Sequence, residues 1–136
     1  FVFNERSWLG LQIMHTCINV KDMEKSIHFY RDILGLRLGR RREIPENNAE
    51  IAFILGEGSD VAIELTYWRD KKEYVEGDYL DHIALGVKDV EATVEDLREK
   101  GVEIAMEPFS LKGSTSKIAF IKDPDGIWIE LVPLSR

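Results

Sequence analysis

The 136-residue chain predicts an α+β fold of two tandem βαβββ modules built on mixed sheets. Three observations lead there. "VKDME" at Val20–Glu24 returns as "VKDVE" at Val87–Glu91, each copy with a histidine five residues ahead of it, His15 and His82. "AIELT" (Ala62–Thr66) is echoed by "WIELV" (Trp128–Val132). Each valine-lysine-aspartate copy also opens a helical pattern that stops at a glycine, Gly35 or Gly101. Self-similarity of this kind dictates architecture, so the chain reads as an internal duplication with one His and one Glu at matched places in each half.

The elements follow in order. Ile13 to Val20 is a β-rich run. Asp22 stands at an N-cap position, with Met23, Ile27, Tyr30 and Leu34 at helical spacing behind it. Gly35 supplies the left-handed residue that stops many helices. Extended runs at Leu36–Glu43, Glu50–Leu55 and Val61–Tyr67 are separated by "PENN" and "GEGSD", both rich in turn formers. The second half repeats the order: a strand at His82–Val87, a helix capped by Asp89 and carrying Val90, Val94 and Leu97, then runs at Val102–Met106, Lys117–Ile121 and Ile127–Val132, with "DPDG" as a tight turn. The boundaries expected are an N-terminal extension at 1–10 and a single domain at 11–136. That domain divides into modules 11–68 and 79–134, joined by the polar segment Arg69–Asp78.

Composition narrows the function. A net charge of −7 argues against general nucleic-acid binding, which needs a basic surface. One cysteine rules out an intramolecular disulfide framework and suits a reducing compartment. Glu5 and Arg6 fall where a signal peptide needs its apolar run, and no stretch reaches transmembrane length. The expectation is a cytoplasmic protein away from membranes and nucleic acid.

Strand alternation then places the polar residues. With Ile18 and Val20 toward the helix, His15, Cys17 and Asn19 face the other way. His82, Ala84 and Gly86 do the same in the second half, and Glu64 and Glu130 sit between core-facing residues in their "IEL" runs. Two imidazoles and two carboxylates converging on one hollow form a mixed N/O metal site with coordination positions left for water or substrate. Small neighbours, Ala62, Ala84 and Gly86, leave room for it. Cys17 is expected to be a small buried hydrophobe.

These motifs, "MHTCINV", "SIHFYRDILGLRL", "VAIELTYW", "DHIALGV" and "GSTSKIAFIKDPDGIWIELV", resemble glyoxalase I, the lactoylglutathione lyases of the vicinal-oxygen-chelate superfamily, over nearly the whole chain. The resemblance implies His15, Glu64, His82 and Glu130 as metal ligands, with Ni2+ or Co2+ preferred and Zn2+ as the alternative. It implies a homodimer with active sites shared between subunits. The implied reaction isomerises the methylglyoxal–glutathione hemithioacetal to S-lactoylglutathione, a proton moving between adjacent carbons through an enediolate held by the metal as Lewis acid. Glu130 would be the catalytic base and Glu64 its counterpart on the opposite face.

Substrate contacts implied by the same resemblance fall on Asn19, Trp68 and Lys112. Asn19 stands where the family usually has an arginine and Trp68 where it has an asparagine, while Lys112 matches. The cluster "RLGRRR" (Arg37, Arg40, Arg41, Arg42) reads as a solvated strand end, or as a grip on carboxylates or coenzyme A phosphates. The alternatives are an enzyme acting on another thiol adduct or on an acyl-CoA, like methylmalonyl-CoA epimerase, a ring-cleaving dioxygenase, and a non-enzymatic drug-binding protein. The epimerases usually carry glutamine at the Glu64 position, four protein ligands crowd a dioxygenase iron, and the drug binders generally lack the metal residues.

Overall fold

The computed structural model describes residues 12–134, so the N-terminal extension expected at 1–10 lies outside the described residues. Two four-stranded mixed sheets form. The first contains β1 (His15–Asn19), β2 (Arg37–Ile44), β3 (Ala49–Leu55) and β4 (Ala62–Trp68) in the order β1-β4-β3-β2. The second contains β5 (Ile83–Val87), β6 (Ile104–Phe109), β7 (Ile118–Lys122) and β8 (Trp128–Pro133) in the order β5-β8-β7-β6. In each, the first strand runs parallel to the last and the other pairs are antiparallel. The predicted βαβββ order holds in both halves, with strand ends displaced by up to three residues. Among the described residues, no helix is long and apolar enough to cross a membrane.

Local chemistry explains the helices. Asp22 accepts a hydrogen bond from the Lys25 amide at the start of α1 (Met23–Ile27), and Asp89 accepts one from Ala92 at the start of α2 (Val90–Glu99). The spacing predicted one helix through Leu34, but after Ile27 the chain widens into a π-helical stretch, His28–Ile33. That widening lets the consecutive aromatic rings of Phe29 and Tyr30 both reach the core. Gly35, at φ +76°, then reverses the chain as predicted.

One apolar core unites both modules. Ile18, Ile27, Tyr30 and Leu65 from the first half join Val94, Leu97, Ile121, Ile129 and Leu131 from the second. The "DPDG" turn fastens them. Its Asp123 carboxylate accepts from the Asp125 and Ile127 amides and from the Tyr30 hydroxyl at 2.6 Å. Asp125 accepts from the Lys21 amide and the Ser26 hydroxyl. Burial raises the pKa of Asp123 and, together with the Asp123 charge, that of Tyr30. The modules therefore share one apolar core, built from their helices and from the helix-side residues of both sheets. Their other faces stay open, and within one chain the sheets do not close around a common hollow.

Candidate metal centre

Strand pairing assembles each half-site. β1 and β4 put His15 opposite Ala62 and Cys17 opposite Glu64, while β3 puts Phe53 opposite Glu64. His15 Nε2 lies 2.9 Å from Glu64 Oε2, and the His15 ring meets the Phe53 ring edge-on at 5.5 Å. The second sheet repeats the plan. Ala84 and Phe120 flank Glu130, His82 Nε2 lies 3.4 Å from Glu130 Oε1, and His82 stands edge-on to Phe120 at 5.6 Å. Both glutamates are mostly buried, with side-chain exposures of 16% and 17%.

The four expected ligands thus come together as two pairs and not as one cluster. Among the described residues, no group of three or more His, Cys, Asp or Glu side chains is placed to hold a metal. The four therefore do not share one hollow within a single chain, which leaves the expected arrangement of active sites shared between subunits as the one that could bring them together. Each pair lies on the open face of its own sheet, and the shared core holds the two sheets together by their opposite faces.

The donor chemistry of each pair suits a divalent cation. His82 Nδ1 is within 2.8 Å of Asp81 Oδ1. A carboxylate only accepts, so Nδ1–H is the donor in that contact, and a carboxylate at the far ring nitrogen is a usual outer support of a metal-bound histidine. Glu64 Oε1 accepts from the Thr66 hydroxyl at 3.4 Å. Val132 fills the corresponding place near Glu130, so among the described residues that carboxylate has no such hydroxyl.

Cys17 is exposed rather than buried, with Sγ 3.1 Å from Thr66 Oγ1. Its face was assigned correctly, but that face borders a cavity lined also by Tyr74, Val75 and Leu80, and the thiol is not enclosed by the described residues. Gly86 lines no open space, because a Cβ there would meet the Leu134 side chain. Asn19 and Trp68 are brought together, the indole N–H donating to Asn19 Oδ1 at 2.9 Å. Lys112 is exposed in the turn between β6 and β7 and, among the described residues, bonds to neither. Phe53 and Phe120 were missed as site residues. The signal was present, since "IAFI" occurs at Ile51–Ile54 and again at Ile118–Ile121, in step with the duplication.

The fold and doubled His–Glu plan define a superfamily. The Glyoxalase/Bleomycin resistance protein/Dioxygenase superfamily profile matches residues 12–131, and the chain belongs to that superfamily. Within it, the chain is 42% identical over 125 residues to a probable lactoylglutathione lyase of Synechocystis sp., covering 90% of this chain and 95% of the relative. It is 43% identical over 124 residues to the lactoylglutathione lyase of Haemophilus influenzae, covering 90% and 92%. Glyoxalase I from Zea mays superposes with a TM-score of 0.84 at 33% identity, matching 92% of this chain but only 45% of the longer maize chain. The trypanothione-dependent glyoxalase I of Leishmania major superposes with a TM-score of 0.78 at 36% identity, over 90% of this chain and 86% of that one.

Proposed function

We propose that the protein is a metal-dependent glyoxalase I that isomerises the methylglyoxal–glutathione hemithioacetal to S-lactoylglutathione. The observation that carries this reading is the pair of His–Glu half-sites, His15 with Glu64 and His82 with Glu130, at equivalent places on two open sheet faces. Relatives more than 40% identical and called lactoylglutathione lyase support the same reading.

Two ligands per sheet cannot complete a four-ligand site, and the core holds the sheets with these faces apart. A homodimer in which the first sheet of one chain faces the second sheet of its partner supplies the full set, consistent with the isologous pairing of most homo-oligomers. His15, Glu64, His82 and Glu130 would hold Ni2+ or Co2+, with Zn2+ as the alternative. The bound cation would supply Lewis acidity to vicinal substrate oxygens. Glu130, with no hydroxyl partner among the described residues, is assigned the removal and return of the substrate proton. Glu64, held by Thr66, is its counterpart on the opposite face. The single cysteine supports the cytoplasmic location retained in this proposal.

The test is turnover of the hemithioacetal by metal-stripped protein reloaded in parallel with nickel, cobalt or zinc. Restoration by nickel or cobalt is the expected result. Stoichiometric metal binding without turnover by any metal would keep the site and move the substrate to another thiol adduct or an acyl-CoA.

A further inference from the structure

The four arginines of "RLGRRR" do not share one environment. Arg41 lies on the helix side of β2, where its guanidinium donates to Glu50 at 2.8 Å and also pairs with Glu24. Arg37 and Arg42 pair in register with Leu55 and Ile51 of β3, which in turn pair with Ala62 and Thr66 of β4. Cross-strand partners share a face, so both arginines lie on the face that carries His15 and Glu64.

Arg40 reaches that face through a β-bulge. Leu38 pairs with Ile54 and Arg41 with Ala52, leaving Gly39 and Arg40 together opposite Phe53. Unbroken alternation would have put Arg40 opposite Ala52 on the core side. The extra residue re-aims it, and its guanidinium carbon lies 5.8 Å from the centre of the Phe53 ring. That ring stands edge-on to His15, so one phenyl group separates the Arg40 guanidinium from a candidate metal ligand.

Among the described residues none of Arg37, Arg40 and Arg42 pairs with a carboxylate, in a chain with 25 acidic and 18 basic side chains. The bulge itself does not demand a cation. The corresponding irregularity in the second sheet places Ala105 and Met106 opposite Phe120. The expected glutathione contacts on β1 and β4, meanwhile, satisfy each other through the Asn19–Trp68 hydrogen bond.

We propose that Arg40, flanked by Arg37 and Arg42, is the carboxylate anchor for the thiol portion of the substrate, standing in for a cation on β1. Guanidinium groups suit this role because they donate two parallel hydrogen bonds to a carboxylate and are weakly hydrated. The proposal rests on the glyoxalase I reading for the identity of the thiol, and it places specificity on the edge strand and away from the metal ligands.

The test is binding of S-hexylglutathione and of its diethyl ester to the full-length protein by titration calorimetry, for wild type, Arg40→Gln and Arg40→Gln/Arg42→Gln. Wild type is expected to prefer the free acid by about tenfold or more, the scale of a charge-assisted hydrogen bond. The double variant is expected to lose that preference while its affinity for the ester and its melting temperature stay unchanged. Equal affinity of wild type and double variant for the acid overturns the anchor, as does a wild type that does not distinguish acid from ester or binds neither. If the acid preference disappears in the variant as expected but no metal restores hemithioacetal turnover to wild type, the anchor stands and the activity proposal is what fails.

Discussion

Glu64 and Glu130 occupy the same place in their modules, yet one accepts a hydroxyl hydrogen bond from Thr66 and the other has Val132 nearby. In the proposed function that difference favours Glu130 as the base. Glu130→Gln is expected to lower kcat by about 10²–10⁴, the range for loss of general-base catalysis, with metal still bound by the remaining ligands; near-normal turnover would sink the assignment. Tyr30 and Asp123 offer a second residue-scale prediction. Tyr30→Phe leaves a buried carboxylate short of one donor and is expected to cost about 1–3 kcal/mol of stability in denaturant unfolding. Burial holds the Asp123 pKa above its ordinary value, so the folded state binds this proton more tightly than the unfolded state does. Its contribution is fully present below the ordinary carboxylate pKa and is lost as pH rises through the raised one. The stability of Asp123→Asn relative to wild type is therefore expected to increase with pH across the acidic range, read from paired unfolding curves. A flat difference would show that the burial carries no such linkage.

Single elements depend on their caps and reversals. Gly35 has φ +76°, and no heavy atom lies within 4 Å of where its Cβ would be. Any loss on Gly35→Ala is therefore backbone strain and not collision, expected at about 1–2 kcal/mol and measurable as a lower unfolding midpoint. Asp89→Ala removes the acceptor for Ala92 and is expected to cost about 1 kcal/mol. The β2 bulge acts at the same scale. By adding one residue opposite Phe53 it moves Arg40 and Arg42 to the site face and turns Arg41 toward Glu24 and Glu50. A one-residue change of register exchanges the two faces of a strand, so the bulge decides which arginines lie on the face of His15 and Glu64.

The whole molecule carries its two His–Glu pairs on separate sheets that share one core. If each complete site takes His15 and Glu64 from one chain and His82 and Glu130 from its partner, two inactive variants should complement. His15→Ala and His82→Ala proteins, unfolded together and refolded, are expected to recover about a quarter of wild-type turnover, because half of the dimers are mixed and each mixed dimer carries one intact site. No recovery, with mixed dimers demonstrated by native mass spectrometry, would place the four ligands within a single chain.

Much of this protein was legible in its sequence because the relevant information lies between near neighbours or in a repeat. The duplication, the Asp22 and Asp89 caps, the Gly35 reversal, the "DPDG" turn and the faces of His15, Glu64, His82 and Glu130 all follow from period, local hydrogen bonding and alternation. The Phe53–Phe120 correspondence was legible too, in the repeated "IAFI", and was passed over because apolar strand residues read as core. Other features required the assembled structure. Alternation cannot foresee a bulge, so the divided fates of the four arginines were hidden. Nor can it tell which sheet face the rest of the chain will cover, so the exposure of Cys17 was hidden. Above all, sequence pattern could set each His–Glu pair on a sheet face but not decide that the pairs stay apart. Pairing within a sheet is settled by backbone register, whereas the meeting of two sheets depends on which faces the common core buries and which it leaves open.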